Sequence, residues 1–387
     1  MRFAEFTDEW GKYELSHFVT RITRRNKNNE SSLPLTISAQ YGLVDQISFF
    51  NKTVASVDLS GYYLLYNGDF AYNKSYSNDY AWGAVKRLDK YEKGCLSSLY
   101  FVFRPNDNVD SDYLTHYFES SKWHKGISNI AGEGARNHGL LNMAIDDYFA
   151  TKHYLPSLPE QKKIAQFFNA ITRRIEIQNK IISKYETLIK GIYHEFFSKP
   201  ADYAIKIKDL IIKGKAGGTP SSTVARYYNG DIPFLSISDM TKQGKYVSHT
   251  EKHISESGIE DSSAWIVPSN SLIFSMYASV GLVCINTVPL ATSQAMFSMV
   301  LKDCRMIEYI YYYLNFFRDT KIHRHIETGT QSNINAETVR NIEIPFQSNC
   351  SKLVETLNSI EKRLNNEKDM LSLLVDLKAY LLSKLFI

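Results

Sequence analysis

Cysteine is scarce in this chain, and the four present share no task. Cys95, Cys284, Cys304 and Cys350 lie far apart with no CxxC pair, which argues against a disulfide framework or a zinc site and suits a reducing compartment. Long apolar runs are missing too, none approaching the roughly 20 residues that span a bilayer. The opening stretch, Met1 to Trp10, carries Glu5, Asp8 and Glu9 and has no apolar core, unlike a secretory signal. A soluble, cytoplasmic protein without membrane association is expected. A surplus of one charge is also absent: the net formal charge is +4 over 387 residues. Counting along the sequence, residues 1–158 hold 17 Lys+Arg against 18 Asp+Glu, and residues 198–348 hold 15 against 14. Neither part is a basic domain, so a positive surface for nucleic acid would have to be local. Two short clusters qualify, Arg21, Arg24, Arg25 and Lys27, and Arg318, Lys321, His323, Arg324 and His325. The competing reading of each is a solvated face.

Catalytic signatures are lacking as well. No GxxxxGK[ST] phosphate loop occurs, the nearest stretch being Lys213-Gly214-Lys215-Ala216-Gly217-Gly218-Thr219, where no Lys-Ser or Lys-Thr follows the glycines. There is no FxGxG or Asn/Asp-Pro-Pro-aromatic motif of an amino-methyltransferase and no HExxH, and His323-Arg324-His325 has no nearby carboxylates to complete a metal site. No catalytic centre, resident cofactor or metal is expected.

What is present is an internal repeat. Ile164, Phe168, Ile171, Ile175, Gln178, Ile182, Tyr185, Ile189, Ile192 and Phe196 follow one another at spacings of four and three, a heptad seam that predicts a long helix packed on another. At a distance of 189 residues the rhythm returns in Leu353, Leu357, Ile360, Leu364, Glu367, Leu371, Leu374, Lys378, Leu381 and Leu385. The polar breaks Gln178 and Glu367 match, and Leu155-Pro156 and Ile344-Pro345 precede the two helices at the same distance. The seam itself is assigned to Ile164, Phe168, Ile171, Ile175, Ile182, Ile189, Leu353, Leu357, Ile360, Leu364, Leu371 and Leu381. Earlier blocks echo more loosely: Leu33-Pro34-Leu35 with Ile232-Pro233-Phe234, Asn67-Gly68-Asp69-Phe70 with Ser269-Asn270-Ser271-Leu272, Gly83-Ala84-Val85 with Gly281-Leu282-Val283, and Ser98–Phe103 with Gln294–Met299. Short aromatic helices near Asp112–Glu119 and Ile307–Phe316, and a Gly-containing polar loop after each, complete the pattern.

The expected architecture is α+β, with domains at 1–158 and 198–348 and long helices at 159–197 and 349–387. Two α/β domains in tandem repeat would be separated by two long antiparallel helices forming a coiled coil. A helix of about 38 residues is about 57 Å long, so the domains would sit at opposite ends of a pseudo-two-fold rod. Such an object suits a target with two separated half-sites.

Leu155-Pro156-Ser157-Leu158-Pro159-Glu160-Gln161-Lys162-Lys163-Ile164-Ala165 resembles the LPxLxEQxxIA segment of type I restriction–modification specificity subunits. Arg2-Phe3-Ala4-Glu5-Phe6-Thr7-Asp8-Glu9-Trp10 is similar to their RFxxFxxxW opening, and Gly217-Gly218-Thr219-Pro220 to the start of their second recognition domain. The resemblance runs through the whole chain in order. One departure stands out: Phe346-Gln347-Ser348-Asn349-Cys350-Ser351 lacks the PxxEQ signature before the second helix. The resemblance implies a non-catalytic protein whose two target-recognition domains each read half of a split, asymmetric double-stranded DNA site. It implies two methyltransferase subunits docked on the helices, bringing S-adenosylmethionine, and motor-nuclease subunits using ATP and Mg. The helix faces bearing Phe167, Arg173, Arg174 and Tyr193 are the expected docking surface.

DNA contacts call for Lys, Arg and hydroxyls at phosphates, and for Arg, Lys, Asn, Gln, Ser and Thr at base edges. The candidates are Arg21, Arg24, Arg25, Lys27, Lys74, Tyr76, Arg136, Asn137 and His138 in the first domain, and Lys213, Lys215, Thr219, Ser238, Lys242, Tyr277, Gln331, Ser332 and Asn333 in the second. For each, the competing reading is an ordinary loop residue. Two functions of other classes stay open: a free-standing DNA-binding regulator and a coiled-coil scaffold for proteins.

Overall fold

A computed structural model describes residues 2–77, 80–132, 139–325 and 333–387. The chain is α+β and forms two compact units, Met1–Lys180 with Asp369–Ile387, and Ile181–Lys368. Two helices dominate it, Leu158–Phe197 and Cys350–Leu385, and each contributes to both units. Among the described residues, no helix is long and apolar enough to cross a membrane.

In the first unit an antiparallel sheet runs in the order Val19–Arg21, Phe101–Pro105, Phe70–Asn73, Ala84–Arg87. The second unit repeats this order with Ile211–Ala216, Met296–Leu301, Ser271–Ser275 and Val283–Asn286, and adds Tyr246–Val247 in parallel at the edge. The strands Ala84–Arg87 and Val283–Asn286 follow the echoed turns, where Gly83 and Gly281 take φ of 77° and 84°. A Cβ at Gly83 would also lie 2.1 Å from the Asn73 carbonyl oxygen, so glycine is required there. Each unit closes with a two-stranded antiparallel ladder just before a long helix: Gly11–Glu14 with Lys152–Leu155, and Tyr203–Lys206 with Glu343–Phe346.

The aromatic residues go mostly inside, because two small units have much surface to bury against. Phe70, Tyr72, Phe103, Phe118, Trp123 and Tyr148 fill the first core, and the helix Ile307–Thr320 supplies Tyr309, Tyr312, Tyr313, Phe316 and Phe317 to the second.

Within the first unit Phe168 stacks on Phe386 at 5.7 Å, while Lys378 pairs with Glu119 at 2.9 Å and Asn169 donates to Asp112 at 2.8 Å. Within the second, Tyr193 and Phe197 share a core with Leu353 and Leu357, and Lys368 pairs with Glu186 at 2.9 Å. Residue numbers thus rise along one helix as they fall along the other, an antiparallel pairing in each unit. Ile164, Phe168, Ile182, Leu353, Leu357, Leu364 and Leu381 are buried, and Ile171, Ile175, Ile189, Ile360 and Leu371 half-buried.

The motifs that open the chain and the first long helix meet in space. Arg2 donates twice to Glu160 at 2.7 Å each, and Trp10 Nε1 donates to the same buried carboxylate at 3.3 Å. Gln161 accepts from the Asp110 amide at 2.8 Å and donates to the Pro156 carbonyl at 2.9 Å. The second long helix lacks that pair and is held differently: the Ser348 amide donates to Asp202 at 2.9 Å and Gln347 Nε2 to the Phe196 carbonyl at 3.1 Å. It begins at Cys350.

Candidate nucleic-acid interface

The basic stretch after the strand Val19–Arg21 divides into outward and committed side chains. Arg21 is exposed, its nearest carboxylate being Asp146 at 3.7 Å, and Lys27 is exposed beside Asn28 and Asn29 in left-handed conformation. Arg24 instead donates to Asp69 at 2.8 Å and to the Leu64 carbonyl at 3.0 Å, and lies 4.2 Å from the Tyr66 ring. Asp69 is fully buried and also takes Arg104 Nε at 2.6 Å. A buried carboxylate needs such partners, so Arg24 is held by the fold. Arg25 lies over Tyr63 at 4.2 Å and donates to the Gly61 carbonyl at 2.7 Å. Arg104, half-exposed beside Asp69, is not legible in the sequence because it lies in an otherwise apolar strand and its partner is 35 residues away.

Lys74 rests 4.7 Å over Phe101, where burial lowers its pKa, and Tyr76 is half-exposed. Their segment is bridged to the far side of the first polar loop: Ser75 pairs with Leu140, and the Tyr76 amide donates to the Gly139 carbonyl at 2.9 Å. Tyr277 stands in the same relation to the second loop, half-exposed and bridged to Asn333. Arg136, Asn137, His138, Gln331 and Ser332 lie outside the described residues.

On the strand Ile211–Ala216, Lys213 and Lys215 share one face because alternate strand residues do. Lys213 sits 4.0 Å over Trp265 and Lys215 is exposed. This strand holds the same place in its sheet as Val19–Arg21 in the first. The following Gly217-Gly218 is pressed against neighbouring backbone: a Cβ at Gly217 would lie 2.0 Å from the Thr292 carbonyl oxygen. Only glycine fits, which places the exposed Thr219 beside Gln294, to which its hydroxyl donates. Ser238 is exposed on the helix Ile237–Gln243, and Lys242 of that helix is paired with Glu251. Of the other basic cluster, Arg318 approaches Asp319 at 3.8 Å, Lys321 donates to Tyr313 at 3.4 Å and His325 packs on Phe317.

The expected docking face needs correction. Tyr193 is buried in the second core and donates to Asp319 at 3.1 Å, and Phe167 is half-buried edge-on to Phe3 at 5.8 Å. Arg173 and Arg174 are exposed. Apolar residues do face outward on both long helices, Ile177 and Leu188 on the first and, on the second, Val375 with Met370, Leu373, Leu377 and Tyr380, these last four with relative exposures from 45% to 65%. Met370, Leu373, Leu377 and Tyr380 follow at spacings of three and four, which makes them one stripe.

A family model described as Type I restriction modification DNA specificity domain matches residues 201–370. The type I restriction enzyme MjaIX specificity subunit of Methanocaldococcus jannaschii is 28% identical over 193 residues, 49% of this chain and 44% of that one. The HindI specificity subunit of Haemophilus influenzae is 32% identical over 200 residues, 47% of this chain and 43% of that one. The chain thus spans somewhat under half the length of each of these relatives. Among solved structures, one from work on complex assembly and conformational transition of the type I R-M system matches with a TM-score of 0.59 at 17% identity, covering 98% of this chain and 97% of that one. The S subunit of a type I restriction–modification system from M. genitalium gives 0.55 at 15% identity, covering 100% and 99%. At such identities the two structures speak to the fold.

Proposed function

We propose that this chain, similar to type I restriction–modification specificity subunits in sequence, is such a subunit, that it reads a bipartite DNA target, one half-site with each sheet-rich unit, and that it docks methyltransferase subunits on its long helices. It is a recognition protein with no chemistry of its own. S-adenosylmethionine belongs to the docked methyltransferases, and ATP and magnesium to motor-nuclease subunits that join them, all in the cytoplasm.

One observation carries this reading: a single chain holds two copies of the same set of parts, each with a cationic edge strand and an exposed tyrosine at the foot of a polar loop. Arg21 and Tyr76 serve in the first copy, Lys213, Lys215 and Tyr277 in the second. Cations at phosphates set position, while hydroxyls and amides at groove edges can tell bases apart. The outward apolar stripe on the second long helix supports the docking half, since exposed apolar stripes mark protein contacts.

The test is methylome sequencing of cells that express this chain with a type I methyltransferase subunit that it binds, against the methyltransferase alone. Methylated adenines at one new two-part motif, absent from the control, are the expected result. A soluble complex with no chain-dependent methylation would overturn the reading.

A further inference from the structure

The first unit carries a cleft of about 710 Å³ lined by none of the candidate DNA contacts. Lys12 and Lys152 reach it from the paired strands Gly11–Glu14 and Lys152–Leu155, and Lys122 and Lys125 from the start of the helix His124–Ser128 and the residues before it. Asp147 is the one acidic side chain among its walls. Among the described residues, none of the four lysines has a carboxylate within ion-pair distance. What sets them apart is their convergence on one hollow that holds a single acidic side chain.

The second unit has a cleft at the corresponding place, beside its own two-stranded ladder, and there the charge is different. Lys321 and His325 face Glu337 and Glu343. At the last rung of the first ladder Glu14 stands opposite Lys152, with Lys152 turned to the cleft; at the last rung of the second, Lys206 stands opposite Glu343, with Glu343 turned to it. The fold makes both clefts, so the fold alone does not explain the lysines of one.

Four ammonium groups without a carboxylate partner around one hollow, Lys12 resting 5.2 Å over the Tyr154 ring, attract a polyanion with regularly spaced charges. Lysine is a point charge on a flexible stem and suits phosphates without base discrimination. Asn129 and Ile130, which line the cleft, lie a few residues before the first polar loop in the sequence. We infer that this cleft is a sequence-independent clamp for the phosphate backbone of duplex DNA, present in the first unit and missing from the second. The inference rests on the DNA-reading function proposed above.

The test uses the chain in complex with its methyltransferase and a duplex containing the motif found by methylome sequencing. Binding is measured over a range of salt for the wild type, for Lys12→Gln/Lys122→Gln/Lys125→Gln/Lys152→Gln, and for Lys321→Gln as the control in the second cleft. Each phosphate that a lysine neutralises contributes about 0.9 to the log–log salt slope, so the fourfold variant is expected to have a slope shallower by about 3.6 and an affinity weaker by roughly a hundredfold or more at moderate salt. Its preference for the motif over a scrambled duplex should stay intact, and Lys321→Gln should match the wild type. If the fourfold variant does not fold, Lys125→Glu alone, at an exposed position, should still shift the slope by about 1.

A wild-type complex that prefers the motif, with variant slopes unchanged, overturns the clamp and leaves the reading function standing. A wild-type complex with no preference for the motif overturns both. If salt-dependent binding of the methyltransferase falls instead of DNA binding, the cleft takes an acidic protein segment and the inference is wrong.

Discussion

His153 shows how far a single side chain can be predicted once its neighbours are known. It is buried, with Nδ1 2.8 Å from the Tyr117 hydroxyl and Nε2 2.7 Å from the Thr151 hydroxyl. Thr151 spends its own proton on the Tyr148 carbonyl at 2.7 Å, so its oxygen must accept from Nε2–H, and Nδ1 accepts from Tyr117. That is a neutral imidazole. Burial opposes the cation and lowers the pKa from 6.5 to about 4. Because the folded value lies below the unfolded one, the stabilisation is complete above about pH 6.5 and is lost as pH falls toward 4. Its size is on the order of 3 kcal/mol. Urea unfolding at stepped pH values should show the wild type losing stability across this window, while His153→Gln shows a shallower decline. Equal slopes would mean that the imidazole is already charged in the folded protein. None of this was legible in the sequence, where His153 is one of ten histidines without a motif. The same holds for Asp69, whose partners Arg24 and Arg104 are brought together only by the sheet.

The elements were far more legible, and their errors have a geometric cause. The heptad pattern located both long helices because a strict spacing of three and four leaves an apolar stripe on any helix. Yet a straight helix turns 3.6 residues per turn and drifts about 20° from a strict heptad every seven residues. Over the roughly four heptads of the first helix the drift amounts to nearly one residue. The buried positions accordingly move from Ile164, Phe168 and Ile182 to Tyr193 and Phe197, where strict counting places Ile192 and Phe196. This is why Tyr193 was assigned to the wrong face. Burial also separates two kinds of mutation. Phe168→Ala removes a fully buried ring stacked on Phe386 and should cost about 3 to 5 kcal/mol. Leu373→Ser with Leu377→Ser alters side chains 65% and 47% exposed and should cost less than about 0.5 kcal/mol each. Thermal unfolding should show that contrast. The double serine variant should nonetheless fail to co-purify the methyltransferase, and full retention of that partner would remove the apolar stripe from the docking surface.

At the scale of the molecule, the tandem repeat was readable because turn glycines such as Gly83 and Gly281 and the strands after them recur in order. What could not be read was how the units are completed. Phe386 packs against Tyr113, Tyr117 and Phe168, a closure between residues far apart in the chain that no local pattern encodes. It sets the terms for testing whether each unit reads its own half-site. Residues 1–158 can be exchanged for those of a subunit with another specificity, provided aromatic residues remain where Tyr113 and Tyr117 meet Phe386. Readout by groove contacts is local, with each mismatched base pair costing about 1 to 3 kcal/mol, and well-separated sites contribute independently. The methylome of cells carrying the exchanged chain should therefore keep one half of the motif and its spacer and change the other half. Change in both halves, from a chain that folds and binds its methyltransferase, would mean that the two units read one shared surface of the DNA.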